Sequence, residues 1–350
     1  MMAKKETNKV ALYRKYRPSS WKDVLGQEAV VSVLSRSAKE GSISHAYLFS
    51  GSRGTGKTSV ARIFAHEIGC SEKDLYEIDA ASNRGIDDVR ALREGVLSLP
   101  FESPYKVYII DEAHMLTTPA WNAFLKTLEE PPKHAVFVLA TTEPEKIPET
   151  IISRCETYSF KRPSREILAK MVAQKAKEEG SELEASAAEL IATLADGSYR
   201  DAYGILQKVI SGNAEKKVSV EAVAKLTGAP KTQLLNDFLT ALAEGDLDGA
   251  LGAVHTAESQ NLDMHVFAKL ALERLRAVLM SSMAPQIGKE MRERYSPDDA
   301  DFLEALSKKE GNGITLDLLR ELLGAVAEMP RAYIPALTLE LALARALDTD

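Results

Sequence analysis

GSRGTGKT, residues 51–58, follows the apolar run AYLFS and opens the stretch TSVARIFAHEI. Glycines, a lysine and a hydroxyl residue at this spacing, between a strand and a helix, form the phosphate-binding loop pattern. The glycines let backbone N–H groups turn inward around a phosphate, and the helix N-terminus adds the positive end of its dipole. The expected nucleotide site is Gly51, Ser52, Gly54, Thr55, Gly56, Lys57, Thr58 and Ser59. Lys57 would reach the β- and γ-phosphates and Thr58 would hold Mg²⁺, so ATP and Mg²⁺ are the expected cofactors.

On either side of this loop, short β-rich runs alternate with helical ones. AYLFSG (46–51), LYEIDA (75–80), KVYIID (106–111), AVFVLAT (135–141) and CETYSF (155–160) are the strands; TSVARIFAHEI, GIDDVRALREGVLSL and PAWNAFLKTLEE are helical. Such alternation predicts an α/β domain with a parallel five-stranded sheet covered on both faces. The third helix reads as having Thr118 as N-cap, Pro119 at its first position and the prolines at 131–132 as its stop. KVYIID ends in Asp111 and Glu112, at the strand edge where ligands bind in such sheets. Asp111 would orient Mg²⁺ and Glu112 would polarise the attacking water. The next strand ends in ATT, where a hydroxyl could sit between the carboxylates and the γ-phosphate; Thr142 is preferred over Thr141.

After Pro163 the strands are expected to disappear. Residues 164–226 read as short helices, turn signals mark a second boundary near 228, and the remainder is helical. In ADGSYRDA, Ser198 is a good N-cap with Asp201 three residues later, which places Arg200 in the first turn of a helix. In PETIISRC (148–155), Arg154 reads as lying on the lead-in to a strand, with no carboxylate at helical spacing.

The totals suit a chain of two or three domains: 350 residues, 45% apolar and 27% charged. The apolar runs are far too short for a membrane span, and MMAKKETNKV lacks the apolar core of a secretory signal. Cys70 and Cys155 supply neither a disulfide framework nor a CxxC pair, which fits a reducing cytoplasm. Net charge is −7, unevenly spread: residues 1–227 carry 32 basic and 31 acidic side chains, residues 228–350 carry 12 and 20. Contacts with phosphate backbones are therefore expected on the first two thirds.

YRKYRPSSWKDVLGQE (13–28), SHAYLFSGSRGTGKTSVAR, IIDEAHML, FLKTLEEPP, LATTEPEKIPETIISRC, GSYRDA and IPALTLELAL together resemble the gamma/tau clamp-loader ATPases of bacterial DNA polymerase III, within the AAA+ class. The similarity runs from about residue 10 to 347. Replication factor C small subunits share YRP, GQE and SRC and are the near alternative; a ring subunit that binds nucleotide without turnover is another. A branch-migration helicase would need a C-terminal winged helix, against which the acidic helical C-terminus argues.

The resemblance implies an AAA+ nucleotide-binding domain over 1–162, a small helical lid over 163–227 and an all-α collar over 228–350 that holds subunits in a pentameric ring. It implies an ATPase that opens a sliding clamp and places it on primer-template DNA. Its partners would be the clamp, the DNA and other loader subunits, with no membrane. By the same match Arg154 is a finger serving the neighbouring subunit's γ-phosphate, Arg200 is a second sensor, and Tyr16, Arg17, Pro18 and Val24 line the adenine pocket. Arg84, Arg90 and Arg93 would face the duplex as sequence-blind phosphate contacts. The family usually carries a four-cysteine zinc module after the P-loop helix; here Cys70 is followed by SEKD and the next strand, so no zinc is expected. The long tail of the tau form is also missing, as in a gamma-type core or a shortened form of a longer chain.

Overall fold

The structure, a computed structural model, describes residues 10–213, 215–292 and 295–347. The charged stretch at 1–9, Ala214 and the last three residues of the expected 228–350 region lie outside the described residues. The chain divides into two compact units. One is the chain through Lys175 together with Ile191–Gln207; the other is Ala176–Leu190 together with the chain from Lys208 onward.

In the first unit, strands β1 (Ala46–Ser50), β2 (Leu75–Asp79), β3 (Lys106–Asp111), β4 (Ala135–Thr141) and β5 (Glu156–Ser159) pair in parallel in the order β2-β3-β4-β1-β5. The three central strands β1, β3 and β4 are buried along almost their whole length, which is why they read as unbroken apolar runs. Their side chains still alternate between two cores. Tyr47, Phe49, Ile109 and Val138 pack with Leu34 of α2 (Glu28–Glu40) and Phe64 of α3 (Lys57–Glu67). Leu48, Ile110, Phe137 and Leu139 pack with Val89 of α4 (Ile86–Leu97) and Phe124 of α5 (Thr118–Glu129). β4 lies between β3 and β1, so its C-terminal end is flanked by the turns that follow both neighbours.

Two expectations are corrected. The N-cap of α5 is Thr117, not Thr118: its side chain accepts from the Ala120 N–H, and Pro119 stands second in the helix. Strands also do not end at Pro163, because the second unit holds a two-residue parallel pair, Glu182–Leu183 with Lys217–Val218. The rest of that unit is helical from Val220 to Leu347, around a core that includes Phe238, Phe267, Leu275 and Leu339. Arg274 is buried there with its charge answered by Asp299 at 3.1 Å and the Asn236 side-chain oxygen at 2.7 Å. Among the described residues, no helix is long and apolar enough to cross a membrane.

Asp74 organises the connection just before β2, where the zinc module was expected to be absent. Its carboxylate is fully buried and accepts from the backbone N–H groups of Phe101, Glu102 and Ser103. Burial alone would raise its pKa, but these donors hold it down, from 3.8 to about 2. A folded pKa below the unfolded one adds stability that is complete above about pH 4 and is lost as pH falls through the folded value. Asp74→Asn should therefore be less stable at pH 7 by about 1–3 kcal/mol. In urea unfolding the gap to wild type should narrow as pH drops below 4; a gap independent of pH would mean that the ionised carboxylate is not what holds residues 101–103.

Candidate functional site

β1 ends at Ser50, and the chain turns at once through Gly51 to the start of α3. At Gly54, φ is +75°, and a Cβ there would lie 2.1 Å from the Ser198 hydroxyl. Gly56 is the N-cap of α3 and supplies no side-chain cap, so the first N–H groups of the helix are left to an outside acceptor. Lys57 curls back over the loop, donating to the carbonyls of Gly51 at 2.7 Å and Ser52 at 3.0 Å. Its ammonium is buried, which pulls its pKa below the usual lysine value, while Glu112 and Asp111 act in the opposite sense. Thr55 closes the turn by donating to the Ser52 carbonyl.

The sheet order brings the second half of the site alongside. The Thr58 hydroxyl donates to Asp111 Oδ2 at 2.8 Å, joining the start of α3 to the end of β3. Asp111 Oδ1 accepts from the Glu112 N–H. Glu112 has φ +49°, in the left-handed region that non-glycine residues seldom occupy. Its Oε2 accepts from the Thr142 hydroxyl at 3.2 Å, while the Thr141 side chain turns to His114. Helix α9 (Tyr199–Gly212) docks on the loop: Ser198 accepts from the Asp201 N–H as expected of an N-cap, and the Tyr199 N–H donates to the Gly54 carbonyl at 2.9 Å. Arg200 in that first turn lies over the Tyr13 ring, 5.1 Å from its centroid.

The loop, Asp111, Glu112, Thr142 and the helix bearing Arg200 therefore come together. Among Tyr16, Arg17, Pro18 and Val24, Arg17 reaches α3 through Ser59 at 3.3 Å, and Tyr16 stacks on Tyr203 of α9. Val24 packs against the core on the α3 side of the sheet, and Pro18 is half-buried. Arg154 takes its contacts elsewhere. It stands between the short helix Glu149–Ile152 and the start of β5 at Glu156, on the lead-in to that strand, and its carboxylate partner is not at helical spacing but is Glu129 at the end of α5, 2.9 Å away. Arg84 and Arg90 are exposed, Arg90 paired with Asp87 at 3.0 Å, and Arg93 is half-buried on the same helix, α4.

Three residues that touch this assembly were missed in the sequence. Gln27 clamps the backbone of Lys161 in both directions and reaches toward the Thr55 carbonyl. Arg162 donates to the Ser52 hydroxyl at 2.9 Å and pairs with Asp196. His114 sits buried beside Glu112. The histidine was in plain view in IIDEAHML, but neither Gln27 nor Arg162 has spacing that could signal its contact with the loop.

The residues present suit a polyphosphate bearing a divalent ion. A buried ammonium, helix N–H groups without a side-chain cap and left-handed glycines would face an anion, and the Thr58 hydroxyl and Asp111 carboxylate beside them would suit Mg²⁺. Among the described residues no cluster of His, Cys, Asp and Glu could hold a metal ion by itself, so the nucleotide would supply the remaining ligands.

Comparison with known proteins points the same way. A family model described as DNA polymerase III, delta subunit, matches residues 26–84 and 73–164; one described as DNA polymerase III subunits gamma and tau domain III matches residues 218–349. The chain is similar to DNA polymerase III subunit gamma/tau of Mycobacterium tuberculosis, 35% identical over 361 residues, covering 97% of this chain and 62% of the relative. It is 40% identical over 296 residues to DNA polymerase III subunit tau of Bacillus subtilis, covering 79% of this chain and 52% of the relative. The chain thus spans between about half and two thirds of the length of these relatives. Its fold resembles that of the Thermotoga maritima RuvB Holliday junction branch migration motor, with a TM-score of 0.53 and 22% identity over 65% of this chain and 80% of that one. At that identity the likeness speaks for the fold alone.

The loop geometry separates two glycines that are alike in φ. Gly41 has φ +67° and open space around it, so Gly41→Ala should cost only left-handed strain, about 1–2 kcal/mol. Gly54→Ala should cost more, because Ser198 must also move, and it alone should weaken nucleotide binding. Thermal melts with fluorescent-nucleotide titration would check both; equal losses for the two would mean that the Ser198 contact does not constrain the loop.

Proposed function

This chain belongs to the family of DNA polymerase III subunits gamma and tau, and we propose that it is an ATPase subunit of a clamp loader, opening a sliding clamp and placing it on primer-template DNA. The observation that carries the reading is the Thr58–Asp111 hydrogen bond beside the buried Lys57, which joins the loop to the acidic strand end in one site. The roles follow from that. Lys57 and the loop N–H groups hold the β- and γ-phosphates, and Arg200, carried on α9 against the loop, senses the γ-phosphate. Thr58 and Asp111 hold Mg²⁺, which when bound offsets charge on the phosphates. Glu112 takes a proton from the attacking water, with Thr142 steadying its carboxylate. Tyr16, Arg17, Pro18 and Val24 line the adenine side.

The same reading assigns residues 1–162 to nucleotide binding, 163–227 to a lid and 228–350 to a collar in a pentameric ring of loader subunits. Arg84, Arg90 and Arg93 serve as phosphate-backbone contacts, and the protein works in the cytoplasm, where the free thiols Cys70 and Cys155 are stable. Arg154 acts in trans on a neighbour's nucleotide; its partners in its own chain, Glu129 and the Thr150 carbonyl, support a role away from its own loop.

Lys57→Ala should abolish nucleotide binding in a fluorescence titration, and near-wild-type affinity would overturn the loop assignment. Glu112→Gln should keep binding but slow hydrolysis by roughly 10²–10⁴-fold. Turnover at the wild-type rate would mean that another group activates the water.

Arg154→Ala should leave nucleotide affinity intact and cut ring hydrolysis by roughly 10³-fold or more. In a ring mixed from Lys57→Ala and Arg154→Ala chains, some interfaces pair a sound loop with a sound arginine, so activity should partly return. A mixture that assembles yet stays as inactive as either parent speaks against trans action, provided that titrating wild-type chains into each mutant shows no all-or-none dependence.

A further inference from the structure

His114 is the member of the IIDEAHML stretch to which the proposed function gives no work. Its ring is buried, with the side chain 6% exposed, and it touches three groups. Nε2 lies 3.1 Å from Glu143 Oε1, and Nδ1 lies 3.0 Å from Thr141 Oγ1 and 3.6 Å from Glu112 Oε2.

The hydrogen positions follow from what each partner can do. The Glu143 carboxylate only accepts, so Nε2 carries the hydrogen; in the neutral ring Nδ1 is then an acceptor and takes the Thr141 hydroxyl hydrogen. The Thr141 oxygen in turn accepts from the Glu143 backbone N–H at 3.0 Å. The bonds close on themselves: Glu143 N–H to Thr141, Thr141 to His114, His114 to the Glu143 carboxylate. The other oxygen of that carboxylate is held by Lys146 at 2.7 Å.

This closed loop immobilises the turn Thr141–Glu143, and the residue inside that turn is Thr142, whose hydroxyl holds Glu112. Glu112 follows the end of β3 on a left-handed backbone, so the end of β4 is fastened to the turn after β3 through one imidazole. The Thr142 hydroxyl occupies Oε2 of Glu112, which leaves Oε1 as the oxygen for a water. We propose that His114 is a positioning residue for hydrolysis: through the closed loop of bonds it holds the Thr141–Glu143 turn, and so holds Thr142 where its hydroxyl fixes the Glu112 carboxylate in the one orientation that activates the attacking water. A general base must be held to within a fraction of an ångström, and it depends on neighbours that are themselves locked. The inference rests on Glu112 being that base.

The test is hydrolysis by the assembled ring under single-turnover conditions, beside nucleotide titration and thermal melts of the purified chain. His114→Ala should lower the hydrolysis rate by about 10- to 100-fold, the usual cost of losing a supporting partner. Nucleotide affinity should move by less than about twofold, because a residue that acts only on the chemical step leaves binding alone. His114→Asn, whose amide falls near the Nδ1 position, should recover part of the rate; His114→Phe, which fills the space without a polar atom, should not. Glu143→Ala breaks the same closed loop from a half-exposed position, so it should lower the rate in the same direction even where His114→Ala folds poorly. Losses that track melting temperature across the variants, or wild-type rates in both His114→Ala and Glu143→Ala, would overturn the proposal. A wild-type ring that assembles, binds nucleotide and never hydrolyses it would instead overturn the ATPase reading, and this inference with it.

Discussion

A buried ammonium whose hydrogen bonds go to two carbonyls is an expensive thing to fold. Lys57 leaves water with no ion pair among the described residues, and its charge is answered by dipoles and, at longer range, by Asp111 and Glu112. Much of the surrounding architecture serves this arrangement. The glycines let the loop carbonyls turn inward, the all-buried β1 delivers the loop to a fixed point, and the Thr58–Asp111 bond holds the acidic strand end beside it. An isolated chain carries this cost as stored affinity: an anion that reaches the loop finds a cation already stripped of water.

Placing carboxylates next to that cation depends on a strand order that the chain does not follow in sequence. β3 is two strands from β1, and the gap is filled by β4. Any substitution that shifts β4 along its neighbours moves Thr141 and Thr142 with it, and so disturbs both halves of the site together. The small residues near the end of β4, Ala140 and Thr141, are fully buried, which leaves no slack for such a shift.

Much of this was legible from residues alone, for an identifiable reason. Strands buried on both faces must be apolar throughout, so the three central strands announce themselves, and the parallel sheet follows from the helices between them. The loop was legible because its glycines and lysine answer a backbone requirement that few other sequences meet. What escaped notice was non-local or very short. Glu129 reaches Arg154 across 25 residues, with no helical period to reveal it. The Glu182–Leu183 and Lys217–Val218 pair is two residues long, below any periodic signal. Thr117 and Thr118 are chemically equivalent as caps, and the choice between them lies in the backbone torsion: Thr117 is extended at ψ 156°, and the helix begins at Thr118. His114, two residues beyond the acidic pair, follows no spacing rule of its own; its meaning lies in Thr141 and Glu143, which the sheet brings to it.

The division of the chain has a temporal side. The first unit is completed by Ile191–Gln207, while the fifteen residues before that segment belong to the second unit. The backbone passes between the units three times, each time within a helix: Arg165–Glu178, Ala185–Leu194 and Tyr199–Gly212. On the ribosome, the sheet and its loop emerge first, yet the loop cannot receive Tyr199 until the intervening segment has also left the tunnel. The nascent chain therefore holds an unfinished nucleotide site while part of the second unit is being made, and neither unit is a closed product of one continuous stretch. Long-range closure of this kind slows folding relative to a chain built from local pieces. It also sets the order of events: the loop–helix contact comes after the sheet has been made and before most of the helical stretch from Val220 onward has been translated.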